Sequence, residues 1–114
     1  MTAPNEILVS VIMGSSSDAD TMAAARRALR DLGISHEAKV LSAHRTPAAL
    51  LEYIAGLEDR GCKMVIAAAG MAAHLAGVIA GHTNMPVLGV PLAAGQLQGI
   101  DALLATVQMP GGVP

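Results

Sequence analysis

Apolar residues in this chain fall in two alternating patterns. Short unbroken runs are followed by stretches in which apolar positions recur every three or four residues. Ile7-Leu8-Val9-Ser10-Val11-Ile12-Met13 is a nearly continuous run of strand length, as expected for a strand covered on both faces. Met22, Ala25, Leu29 and Leu32 then recur at helical spacing, with Arg26, Arg27, Arg30 and Asp31 turned mostly to water. Asp18 is placed to cap this helix and Gly33 sits just past its end. A second strand is predicted over about His36 to Leu41. Thr46-Pro47 opens a second helix, with Pro47 suited to the first turn. That helix carries Leu50, Leu51, Ile54 and Leu57 inward and ends near Gly61. Met64 to Ala69 reads as a third strand, followed by a turn at Gly70 and a helix from about Ala72. Met85 to Pro91 is a short fourth strand bounded by prolines, and a helix is predicted over Ile100 to Val107.

Strand and helix alternating at this spacing predict βαβ units, a parallel sheet and right-handed crossovers, an α/β fold. The segment from Met64 to Ala80 is apolar apart from His74, but it is slightly short for a bilayer and divides better into strand, turn and helix. No internal repeat or linker interrupts residues 1–114, so one domain is expected. The chain stops at Val113-Pro114, where a fifth strand would be expected to begin. A four-stranded sheet would leave its last strand as an open edge.

Composition narrows the class. There is no Phe or Trp and only one Tyr, Tyr53, so small aliphatic side chains must fill the core. The net charge of −2, with dispersed Lys and Arg and almost no aromatics, argues against nucleic-acid binding. The single Cys62 cannot form an internal disulfide, and the first residues lack a basic signal-peptide start. A soluble cytoplasmic protein acting on a small molecule, without a membrane partner, is expected.

Two polar segments stand at predicted strand-to-helix turns, which in open α/β sheets lie at the ligand-binding carboxyl edge. Gly14-Ser15-Ser16-Ser17-Asp18 brings backbone amides and hydroxyls to a helix start, where an anion is attracted. It lacks the Lys of a P-loop and the further glycines of a dinucleotide fingerprint, so ATP and NAD fit poorly. A carboxylate repels phosphate, so Asp18 suits ribose hydroxyls instead. The plain alternative is an ordinary capped turn.

Ser42-Ala43-His44-Arg45-Thr46-Pro47 adds an imidazole for proton transfer and a planar guanidinium for a phosphate or carboxylate. Its plain alternative is a capped helix start with two solvated side chains. His36 is expected near a strand edge facing water. His74 is expected to open an Ala-rich helix, where it could donate to a neighbouring loop. No His, Cys and carboxylate set has metal-ligand spacing, so no metal is expected. Gly70-Met71-Ala72 offers bare backbone for either tight packing or the close approach of a flat ligand.

Five segments together resemble a known family: Gly14 to Asp18, Ser42 to Pro47, Gly70-Met71-Ala72-Ala73-His74-Leu75, Pro86-Val87-Leu88-Gly89-Val90-Pro91, and Val107-Gln108-Met109-Pro110-Gly111-Gly112. Their order is similar to that in the class I N5-carboxyaminoimidazole ribonucleotide mutases of bacterial purine (IMP) biosynthesis, over about Ile7 to Pro114. The related class II carboxylases use free carbon dioxide; Arg45 after His44 and the run from Ala72 to Leu75 favour class I.

The resemblance implies a flavodoxin-like three-layer αβα sandwich and an isomerase working without cofactor or metal. It implies His44 as general acid/base and Ser15, Asp18 and Arg45 as ligands of the ribose phosphate. Ser17 and Ser42 would support them, with the backbone of Gly70, Met71 and Ala72 beside the ring. Family members continue past Val113-Pro114 and assemble as homo-octamers, so the chain reads as C-terminally truncated relative to the family. An inactive nucleotide-binding or packing domain is the alternative reading. Met71 stands where Gly is common in the family, Ala76 where Pro is usual, and Ala94 and Ala102 where Ser is frequent.

Overall fold

The computed structural model describes residues 5–113. Four strands, β1 (Val9–Met13), β2 (His36–Val40), β3 (Met64–Gly70) and β4 (Val87–Leu92), form one parallel sheet in the order β2-β1-β3-β4. Between and after them run α1 (Ala19–Asp31), α2 (Pro47–Ala55), α3 (Leu75–Ala80) and α4 (Ile100–Val107). The expected α/β, flavodoxin-like architecture is the one observed, with four strands among the described residues.

The physics of β1 sets the layers. All five of its residues are buried, because the strand is central and covered on both faces. Val9, Val11 and Met13 pack with Met22 and Leu29 of α1 on one side. Ile12 packs with Leu50, Ile54 and Leu57 around α2, and with Leu75 and Ile79 of α3, on the other. The two small-residue cores replace the aromatics the chain lacks.

Several boundaries differ from the periodicity. Asp18 makes no side-chain cap to α1. A 3-10 turn, Ser16–Asp18, comes first; Ser15 caps it, and the Asp18 carboxylate reaches back to the Ser15 amide. Leu32 is 73% exposed, since α1 ends at Asp31 and the chain leaves the helical face there. The second helix ends at Ala55 rather than near Gly61; Leu57 stays fully buried while a 3-10 turn, Glu58–Arg60, completes the connection. The third helix begins at Leu75 rather than Ala72, because Met71 takes a left-handed φ of +51° and the His74 amide bonds to the Ala72 carbonyl.

One polar chain crosses the interior. Ser10, fully buried on β1, shares a 2.7 Å hydrogen bond with the Tyr53 hydroxyl. Tyr53 donates to Glu37 Oε2 at 2.6 Å, so Ser10 is the donor to Tyr53. Arg60 donates to both Glu37 oxygens at 2.9 and 3.0 Å, and its Nε donates to the Asn5 carbonyl at 2.8 Å. The bidentate Arg60 hydrogen bonds hold the Glu37 carboxyl down at about 2, against partial burial. Burial first, then the bond to Glu37, pushes the Tyr53 hydroxyl above its ordinary range.

Candidate active site at the carboxyl edge of the sheet

The loops after β1, β2, β3 and β4 meet at the carboxyl edge, around the point where strand order reverses on either side of β1. They enclose a cavity of about 430 Å³. Ser15, Ser17, Asp18, Ser42, His44, Arg45, Gly70, Met71 and Ala72 all line it. The fold therefore brings every candidate site residue that the resemblance implies to one place.

The first loop is held by its own side chains. Ser15 Oγ accepts from the Ser17 amide at 3.4 Å and lies 3.0 Å from Ser17 Oγ, while Asp18 Oδ2 accepts from the Ser15 amide at 3.2 Å. This reciprocal arrangement is a capping box. It fixes one carboxylate oxygen and turns the small hydroxyls toward the cavity edge.

The second loop is a closed turn built on Ser42. Its Oγ accepts from the backbone amides of His44 and Arg45 at 3.2 and 3.0 Å. Its amide donates to Thr46 Oγ1 at 2.9 Å, and Thr46 Oγ1 donates back to the Ser42 carbonyl at 3.2 Å. Thr46 is therefore spent within the turn and makes no side-chain cap to α2. Arg45 bridges the two loops, its Nη2 donating to the Gly14 carbonyl at 3.1 Å. That single bond aims the guanidinium at the serine-rich loop.

The third loop supplies backbone and one further imidazole. A side chain at Gly70 would meet Ala94 Cβ at 2.9 Å and the Leu92 carbonyl at 3.4 Å. The bare backbone at Gly70 is thus required by the packing of the loop after β4. His74 Nδ1 lies 2.7 Å from His44 Nε2, with the rings perpendicular and their centroids 4.8 Å apart. Two nitrogens at that distance hold one proton between them, leaving His44 Nδ1 and His74 Nε2 as the outer nitrogens of the pair.

Sequence reasoning gave His74 no part in the site, although it anticipated a contact with a neighbouring loop. The available signal was its isolation: it is the only non-apolar side chain between Met64 and Ala80. Ala94, which also lines the cavity, was marked in the sequence only as standing where Ser is frequent in the family. His36 is half-buried on β2, where Arg26 Nε approaches it at 3.5 Å, far from this edge. Among the described residues no group of three His, Cys, Asp or Glu could hold a metal ion, and no helix is long and apolar enough to cross a membrane.

Comparison with known proteins places the chain among relatives of one family. The chain is 53% identical over 106 residues to an N5-carboxyaminoimidazole ribonucleotide mutase of Mycobacterium tuberculosis, covering 93% of this chain and 61% of that protein. It is 52% identical over 107 residues to the protein of the same name from Bacillus subtilis, covering 94% of this chain and 66% of the relative. The chain thus spans a little under two thirds of these relatives' length. The crystal structure of Treponema denticola PurE superposes with a TM-score of 0.84 at 28% identity, over 94% of this chain and 68% of that one. The AIR carboxylase family matches residues 8–114, the strands and all four site loops included, and the chain belongs to that family.

Proposed function

We propose that this chain carries the catalytic face of an N5-carboxyaminoimidazole ribonucleotide mutase, an isomerase of de novo purine biosynthesis working in the cytoplasm. The observation that carries this reading is the convergence of an anion-seeking serine loop, Arg45, Asp18 and the His44–His74 pair on one cavity. The roles follow from chemistry. Arg45 and the hydroxyls of Ser15 and Ser17 bind the phosphate, and Asp18 accepts from ribose hydroxyls with the oxygen its capping box leaves free. Ser42 holds the His44–Arg45 backbone in place. The backbone of Gly70, Met71 and Ala72 lies beside the ring.

In the reaction, the bond between the exocyclic nitrogen and the carboxylate carbon breaks, its electron pair stays on nitrogen, and His44 delivers a proton there. Carbon dioxide is released inside the cavity. The ring carbon attacks it, forming the new carbon–carbon bond, and the proton displaced from that carbon returns to His44. One proton leaves and one comes back, so no net acid or base is consumed. His74 steadies the cycle: when His44 takes a proton on Nδ1, the shared proton can shift toward His74 Nδ1.

We further propose that the working form is a homo-oligomer, an octamer as the family resemblance implies. Ile100, Leu103, Leu104 and Val107 of α4 are 62, 47, 48 and 58% exposed, and among the described residues β4 is an edge of the sheet. Surfaces of that kind are covered in soluble assemblies. A thermal-shift titration with 5-aminoimidazole ribonucleotide, run beside a mutase assay and a solution-mass measurement, tests the reading. Binding without turnover would point to an inactive nucleotide-binding domain, and absence of binding would overturn the proposal.

A further inference from the structure

Residues 93–99 connect β4 to α4 as a compact loop that gives Ala94 to the cavity. Its ends touch: a side chain at Gly99 would meet Ala93 Cα at 3.1 Å. Gln98, at a left-handed φ of +54°, donates its side-chain amide to the Gly95 carbonyl at 2.9 Å. Surface loops closed at their ends and packed by their own side chains behave as units. What fixes such a unit is its contact with the scaffold, and here that contact is the end of β3. Ala94 fits against Gly70, and Met71 Cγ and Sδ both lie 3.3 Å from where Gly95 would carry a side chain.

Met71 reaches this position at a φ of +51°, a conformation that side-chain-bearing residues avoid. It is 57% exposed, so core burial does not account for the strained backbone. The contact that the conformation does produce is the one with Gly95. Strain of this sort persists where the surroundings over-determine it.

We infer that Met71 is a positioning residue whose thioether, seated on Gly95, latches the 93–99 loop to the end of β3 and so fixes the wall of the cavity against which a substrate ring lies. The identity of the ring rests on the nucleotide reading above; the latch does not. The phosphate and ribose end of the cavity is built from the loops after β1 and β2, which are held by their own hydrogen bonds.

Hydrogen exchange over residues 93–99, with binding of 5-aminoimidazole ribonucleotide and of ringless ribose 5-phosphate, tests this in wild type, Met71→Gly, Met71→Leu and Gly95→Ala. Glycine at position 71 relieves the left-handed strain, so that variant folds while losing the latch. Gly95→Ala presses a methyl group onto the thioether from the other side and adds backbone strain at a φ of +65°. Both should raise loop exchange several-fold and weaken the aminoimidazole ribonucleotide several-fold, with ribose 5-phosphate unaffected. Met71→Leu, which keeps an apolar side chain on Gly95, should restore the loop's protection. Unchanged exchange in Met71→Gly, or equal weakening of both ligands, would overturn the inference. If wild type bound neither ligand, the nucleotide reading would fall, and loop exchange would still decide whether Met71 is the latch.

Discussion

His44 and His74 stand on loops that follow non-adjacent strands, yet their ring nitrogens are 2.7 Å apart. The β1 strand lies between β2 and β3, and both flanking loops lean over its end. His44 therefore does not meet a substrate as an isolated imidazole. It shares a hydrogen bond with a second ring that sequence distance conceals.

His44→Asn should abolish turnover while leaving nucleotide binding largely intact. The amide preserves size and polarity but moves no proton at neutral pH, and positioned acid/base catalysis contributes roughly 10²–10⁴-fold. Steady-state kinetics beside a binding titration checks this; near-wild-type turnover would remove His44 from the chemistry.

His74→Asn should lower kcat and reshape its pH profile, because the shared proton loses its second imidazole. Groups acting as a unit are not additive. The double variant with His44→Asn should therefore be about as slow as His44→Asn alone. Additive losses would show that the two rings act separately.

Arg45→Lys keeps the charge but loses the planar fork and its reach to the Gly14 carbonyl. A charge-assisted hydrogen bond contributes about 1.5–3 kcal/mol, which corresponds to about ten-fold or more in affinity. Calorimetric titration with a ribonucleotide monophosphate should show that loss. Equal affinity would mean that Arg45 serves only to join two loops.

Tyr53→Phe should lower the melting temperature, because the hydroxyl of Ser10 on the central strand would lose its hydrogen-bond partner in the interior. An unsatisfied buried group costs about 1–3 kcal/mol. A melting curve indistinguishable from wild type would show that Ser10 finds another acceptor.

Acid unfolding should report on Glu37. Its carboxyl falls from an ordinary 4.5 to about 2 in the folded chain, chiefly through the Arg60 hydrogen bonds. A depressed folded value means that the stabilisation is complete above 4.5 and is lost as pH falls from there toward 2. Denaturant midpoints measured across that window should drop with pH, and Glu37→Gln should flatten the part of the slope due to this group. An unchanged slope in the variant would place the acid sensitivity elsewhere.

The elements most legible from the amino-acid pattern were those with one dominant physical signal. The apolar run from Val9 to Met13, broken only by Ser10, reads as a doubly covered strand and is one, and Ile100 to Val107 is helical over the expected residues. Boundaries failed where local backbone chemistry competed with periodicity. Met71 delays α3 by three residues through a positive φ, and Leu57 remains buried after its helix has ended. The polar site loops were legible because polar residues between a buried strand and a helix have little structural reason to be there. The pairing of His74 with His44 was not legible, since it depends on strand order and on the lean of two loops. The apolar face of α4 shows the converse: its periodicity is plain, but its exposure is visible only in three dimensions.

The contacts that assemble the cavity join residues distant along the chain: His44 to His74 across 30 positions, and Arg45 to Gly14 across 31. Closing such long loops costs entropy that is recovered only once the strands have paired. No short stretch of the polypeptide can therefore hold the assembled cavity, although single loops close locally, and it should form late, in step with the sheet itself. The integrity of the site then becomes a cooperative property of the whole sheet. During refolding, activity should return with the slowest global phase rather than with the earliest helical signal.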